Sequence, residues 1–214
     1  YLNKGFIRTV CKFLKDLITL NFQNNFRRIK VLLGIEKDPY DTYTSIFNLH
    51  QKYNLKTILF FLIGDYGRYD TSINYSKTDF QKLIKKLSVS FQIGLHTSFR
   101  SIKDNKQVGV ELNRLQDILK KNVIINRQHF LSLNMPYNYR NFMHYGIQHD
   151  FSMGYPTHPG FRAGTSNSFY FFDLGQNKTT NLLIHPFSIM DIALQKYCDL
   201  KPKEALKVIK NIIV

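Results

Sequence analysis

The chain has 214 residues, 43% of them hydrophobic and 14% aromatic, with a formal net charge of +15. That apolar content excludes a disordered chain and leaves room for one large domain or two small ones. The charge invites a nucleic-acid partner, but the basic residues fall in short groups such as FRRIK (Phe26–Lys30) and LIKKL (Leu83–Leu87), whose apolar spacing marks solvated helix faces. No specific nucleic acid is therefore expected, and an anionic glycan, cell surface or membrane surface is the better match to the charge.

Taken in chain order, the first 28 residues carry Phe6, Val10, Phe13, Leu14, Leu17 and Ile18 at helical spacing. Residues 1–29 are expected to form an amphipathic lead-in, either a packing helix or the tail of a preceding domain. KVLLGI (Lys30–Ile35) is predicted as the first strand, Thr44–Tyr53 as a helix and TILFFLIGD (Thr57–Asp65) as the second strand. A helix is predicted over Lys77–Phe91, a strand at QIGLH (Gln92–His96) and a helix over Gly109–Lys121. NVIINRQHF (Asn122–Phe130) reads as a strand, and Met135–Gly146 as a helix opened by Pro136 and stopped by Gly146. IQHDFSMG, FYFFDL and NLLIHPF are short strands, and Lys201–Val214 is a last helix. Apolar strands alternating with helices predict a parallel sheet, in a closed or nearly closed barrel rather than a flat doubly wound sheet. The chain opens on Tyr1 rather than methionine and ends on an apolar IIV without a stop signal, so the barrel domain over residues 30–214 is expected to continue past Val214.

The two cysteines, Cys11 and Cys198, form no C-x-x-C pair, and so suggest neither a disulfide framework nor a zinc ribbon. No apolar run is long enough to span a bilayer.

In parallel sheets, chemistry gathers at the carboxyl ends of the strands. There the sequence offers Asp38 and Asp41, then Asp65 and Asp70, then His96, Ser98 and Ser101, then Arg127 and His129, then His149 and Asp150, with Arg162 and His185 further on. Singly, each has a structural reading: a histidine after a strand is commonly a hydrogen-bonded structural residue, and aspartates around a proline usually make a turn. Their recurrence at one end of successive strands suggests a carboxylate and two imidazoles around a zinc-like metal.

The order DPYDTY, TILFFLIGD, IGLHTSFRS, NRQHFLSLNMP, GIQHDFSMGYPTHPGFRAGTS, LLIHPFSIMD resembles the NodB-type polysaccharide deacetylases, carbohydrate esterase family 4. It is most similar to a divergent bacterial branch whose deacetylase-like domain follows a separate N-terminal domain. The resemblance implies a distorted (β/α)7 barrel that removes acetyl groups from N-acetylated or O-acetylated glycans with a divalent metal, zinc for preference. It implies Asp38, His96 and His129 as metal ligands, Asp38 because it follows the first predicted strand. Asp41 or Asp150 becomes the general base, and His185 the general acid, a role that a histidine beyond Val214 would equally fill. Arg127 or Arg162 is implied to orient a carboxylate by a bidentate pair, while Ser98 and Ser101 close the loop behind His96. Two positions depart from the family pattern: Lys37 replaces one of two adjacent aspartates, and Arg100 stands where the motif H-[ST]-x-x-H has its second histidine. A catalytically inactive glycan-binding or scaffold domain is therefore the alternative. Tyr40, Tyr66 and Phe99 are candidates for stacking on sugar rings, with core packing the plainer reading.

Overall fold

A computed structural model describes residues 6–19 and 22–213 of the chain. They divide into two compact units, one from the chain up to Thr57 together with Ser76–Ser90, the other from Ile58–Tyr75 together with Phe91 onward.

The first unit is helical: α1 (Phe6–Ile18), α2 (Phe22–Leu32), α3 (Tyr43–Tyr53) and α4 (Thr78–Leu87). Among the described residues, polar side chains link α1 and α2. Arg28 is buried and pairs with Asp16 at 2.8 Å, its other nitrogen donates to Asn25 Oδ1 at 3.2 Å, and Asn25 donates to the Phe13 carbonyl at 3.1 Å. Val10, Leu14, Leu17 and Ile18 of the predicted apolar stripe are exposed instead. The predicted strand Lys30–Ile35 is a helix end. Gly34 N–H donates to the Val31 carbonyl and Ile35 N–H to the Lys30 carbonyl, with Gly34 at φ 73°. This pair of bonds closes a helix through a left-handed glycine, so VLLGI terminates α2 rather than opening a sheet. In α4 the buried residues Phe80, Ile84 and Leu87 recur at helical spacing as expected.

The second unit is mixed α/β. Its strands are β1 (Ile58–Phe61), β2 (Gln92–Thr97), β3 (Ile125–Gln128), β4 (His149–Asp150), β5 (Phe169–Asp173) and β6 (Lys178–Ile184). Its helices are α5 (Asn105–Leu119), α6 (Tyr137–His144) and α7 (Pro202–Ile213). The sheet runs β1-β2-β3-β4-β6-β5, parallel except for β5, which is antiparallel to β6. Among the described residues the sheet is open. Helix α5 begins where Asp104 accepts the Lys106 N–H, satisfying an otherwise orphaned donor of the first turn. It buries Val108, Leu112, Leu115 and Ile118.

Register decides which polar residues meet. His96 pairs with Arg127, and Ile125 with His149, so His96, Arg127 and His149 project to one face of the sheet. Thr97, Asn126, Gln128 and Asp150 project to the other, where Tyr139 of α6 reaches Asp150. The first face is partly exposed; the second is buried.

Candidate functional site

His96 at the end of β2 and His129 just after β3 bring their rings together, centroids 4.9 Å apart and nearly edge to face. Each ring is held through Nδ1. That of His96 lies 2.6 Å from the Arg127 carbonyl, and that of His129 lies 2.9 Å from Asp70 Oδ1. Each partner is an acceptor, so each Nδ1 carries the proton and donates it, and in the neutral ring the lone pair is left on Nε2. Burial lowers the His96 pKa to about 4, so this ring is neutral at physiological pH. Asp70 is buried and serves a second purpose. Its oxygens accept the Phe99 and Arg100 N–H groups at 2.7 and 3.2 Å, which open the 3₁₀ turn Arg100–Ile102. One carboxylate therefore fixes both the loop after β2 and the ring after β3.

Behind His96 the chain is locked by buried hydrogen bonds. Ser101 Oγ donates to the Ser98 carbonyl at 2.6 Å, and Gln128 Nε2 donates to the same carbonyl at 2.8 Å. Thr97 Oγ1 donates to Gln128 Oε1 at 2.8 Å, and the Ser98 N–H donates to Glu111 Oε2 at 2.9 Å. Ser98 and Ser101 thus bond one another across the turn that follows His96. From Gln128 the network continues through Ser152 to Asp150, which accepts from the Ser152 N–H and Oγ at 2.9 and 2.8 Å, from Asn126 at 3.3 Å and from Tyr139 at 3.4 Å. Burial raises the Asp150 pKa to about 6. Its side chain is fully buried on the face opposite His96, so Asp150 is a hub of the core rather than a group that meets a water beside the histidines.

The ground for choosing Asp38, a place after the first strand, does not hold. Asp38 follows α2 in the helical unit, where its Oδ1 accepts the Tyr40 N–H and its carbonyl the Asp41 N–H. Asp38 and Asp41 are thus in the turn that leads to α3, the common outcome for aspartates around a proline. The first strand is β1, and the carboxylate that comes to the histidines from its far end is Asp70. Neither arginine holds a carboxylate by a bidentate pair. Arg127 lies 4.2 Å over the Phe187 ring, and Arg162 donates to the Leu131 carbonyl at 3.0 Å. A short bidentate pair instead joins Arg140 and Asp173, at 2.6 and 2.7 Å, and ties α6 to β5. His185 has both ring nitrogens engaged: Nδ1 lies 2.9 Å from Ser168 Oγ and Nε2 lies 3.0 Å from His149 Nδ1, and its ring stacks on Phe151 at 4.3 Å.

Two features of the site escape sequence reasoning. Phe130 and Leu131 both adopt left-handed backbone, at φ 59° and 53°. Each costs roughly 1 kcal/mol for a side chain of this size. The turn places the Phe130 ring against His129, centroids 4.4 Å apart, and Leu131 in the core. Phe130 then packs edge to face on Phe99 and Tyr69, at 5.7 and 6.1 Å, and Tyr69 lies tilted on Phe99 at 4.7 Å, beside the histidines. No glycine announces this turn; Asp70 is visible in the sequence only as one of two acids after a strand.

Two imidazole Nε2 atoms, with Nδ1 anchored on a carbonyl and a carboxylate, are a donor set suited to zinc. Among the described residues, no set of three His, Cys, Asp or Glu side chains is arranged to hold a metal ion. No family model and no curated protein matches the chain.

Proposed function

We propose that this protein is a metal-dependent hydrolase that removes acetyl groups from glycans, on a distorted (β/α) barrel of the polysaccharide-deacetylase kind. The observation that carries the reading is the meeting of His96 and His129, distant in sequence, at the carboxyl ends of neighbouring parallel strands. Both rings are oriented as histidine ligands of catalytic metals are, with the second nitrogen on an oxygen acceptor. His96 and His129 would hold the metal, and Asp70 would stand behind His129. A divalent metal held by His96 and His129 would supply Lewis acidity for attack on an acetyl carbonyl. The chain's own part is positional: the Arg127 carbonyl selects the His96 tautomer, Asp70 selects that of His129, and the Ser98–Ser101–Gln128 bonds keep the β2 loop from moving. The sheet, parallel from β1 to β4 and at β6, supports the reading at the level of an α/β fold.

A second reading has its own support. Arg100 takes the place of a family ligand, and Asp70 is occupied by three hydrogen bonds. A glycan-binding domain without catalysis would carry the same pair of rings. Metal content and acetate release from an N-acetylglucosamine oligomer separate the readings. The wild type is expected to bind zinc and release acetate, and His96→Ala and His129→Ala to lose both. Retention of full metal content by both variants would sink the assignment, while metal binding without acetate release would select the second reading.

A further inference from the structure

Beside the histidine pair lies an aromatic surface that core packing does not explain. Tyr69 is 48% exposed and Phe130 52%, yet both are held in a three-ring cluster with Phe99. Apolar rings in a core lose their exposure; rings ordered by one another and left facing water are ready to cover an apolar face of something else. The backbone supports the same view. Phe130 keeps a left-handed conformation that carries its ring to this place against His129, and strain held at a site is retained where the surrounding structure imposes it.

One cation lies against the rings, and a second follows Phe99 in the chain. The Arg68 guanidinium lies 5.5 Å from the Tyr69 ring centroid, and among the described residues no ion pair includes Arg68. Arg100 follows Phe99 directly, and among the described residues its guanidinium has one ion pair, with Asp104 at 3.7 Å, long and exposed on both sides. A pair of that kind holds its arginine weakly, leaving the charge available to a ligand.

We infer that Tyr69, Phe99 and Phe130 form a stacking platform for a sugar ring, and that Arg68 and Arg100 select glycans bearing negative charge. This rests on the glycan reading above and adds the substrate class to it. The carbon-hydrogen face of a pyranose is flat and apolar enough to cover Phe130 and Tyr69. A carboxylate on the same or the next sugar would then meet the Arg68 guanidinium beside Tyr69, with Arg100, next to Phe99 in the chain, adding to the positive field. The same charge balance agrees with the excess of basic residues over the whole chain.

Calorimetric titration of the full chain with two tetrasaccharides tests this: a neutral oligomer of N-acetylglucosamine, and hyaluronan, in which N-acetylglucosamine alternates with glucuronate. The acidic one is expected to bind about tenfold tighter at low salt, two exposed charge pairs each contributing a few fold. That advantage should shrink at about 0.5 M salt, where screening is short-ranged. Arg68→Ala with Arg100→Ala should remove the preference and leave neutral binding as it was. Phe130→Ala should weaken both ligands about tenfold, with metal content and thermal midpoint held. Equal binding of the two ligands, or a preference that survives loss of both arginines, overturns the charge selection while the glycan reading stands. Unchanged binding by Phe130→Ala overturns the platform. Failure of both tetrasaccharides to bind removes the platform and the glycan reading together.

Discussion

Asp70 is the residue on which most of the site turns, because its two oxygens serve three donors from two different loops. Asp70→Asn keeps the shape but removes the charge and turns one acceptor into a donor. The Phe99 or Arg100 N–H then faces an amide N–H, and the His129 tautomer is no longer fixed. If His96 and His129 hold zinc as proposed, its affinity should fall about 10- to 100-fold. Stability should fall by about 1–3 kcal/mol, the usual cost of a buried donor left unpaired. Zinc competition and urea unfolding measure the two, and an unchanged zinc affinity would mean that Asp70 only builds the loop. Two buried groups also set opposite pH dependences. His96 is lowered from 6.5 to about 4, so the unfolded chain binds its proton more tightly and stability drains as pH falls from 6.5 towards 4. Asp150 is raised from 3.8 to about 6, so the native state binds that proton more tightly, and its contribution is lost as pH rises through 6. Asp150→Asn should therefore abolish the decline that Asp150 causes between pH 4 and 6, so that stability falls less with rising pH there than in the wild type. It should also cost about 1–3 kcal/mol overall, since its amide cannot accept from all four donors. Urea midpoints at pH 4, 5, 6 and 7 give both quantities; a parallel pair of curves would show that Asp150 does not titrate in this range.

At the scale of elements, β2 depends on Gly94 for room rather than for backbone freedom. A Cβ there would lie 2.6 Å from two atoms of the Phe60 ring and 3.2 Å from Ile125 Cγ2. The Phe60 ring in turn meets Phe151 at 5.6 Å, so Gly94 lets a side chain of β1 lie across β2 towards the chain after β4. Glycine in a strand interior is ordinarily a weakness, and alanine a small gain. Here the packing should win: Gly94→Ala is expected to destabilise by about 1–3 kcal/mol, the usual cost of overfilling a packed interior. Thermal unfolding decides the sign, and a stabilised variant would show that the Phe60 ring yields freely. The end of α2 makes the complementary point about local signals. Its closing bonds run through Gly34 with apolar Ile35 just beyond, a helix-stop pattern already present in VLLGI. Read for hydrophobicity alone the segment looks like a strand; read for glycine after a helical run it does not. That difference moved Asp38 from a strand end to a turn between helices.

Across the whole molecule, burial is uneven. The apolar core residues belong mostly to the second unit, whereas α3 buries none of its side chains. Local opening should follow this pattern. Amides of β2, β3 and α5 are expected to exchange with solvent at least about a hundredfold more slowly than those of α3. Hydrogen exchange followed by mass spectrometry measures this, and equal protection would show that the units unfold as one.

Sequence alone determined the alternation of helix and strand from α3 onward, the parallel sheet, and the position of His96 and His129 at strand ends, because apolar runs and their polar endings are local properties. It also marked Ser98 and Ser101 as loop-closing groups. Which carboxylate comes to the histidines, and which face each strand residue takes, only the tertiary structure decided. Asp70 is separated from His129 by 59 residues in sequence, and nothing local distinguishes it from Asp65. Asp150 lies next to His149 in sequence, yet the pleat sends the two to opposite faces, one into the core and one to the partly open side. Those outcomes depend on strand register and on where a buried charge finds its donors, and both are settled only when distant segments pack.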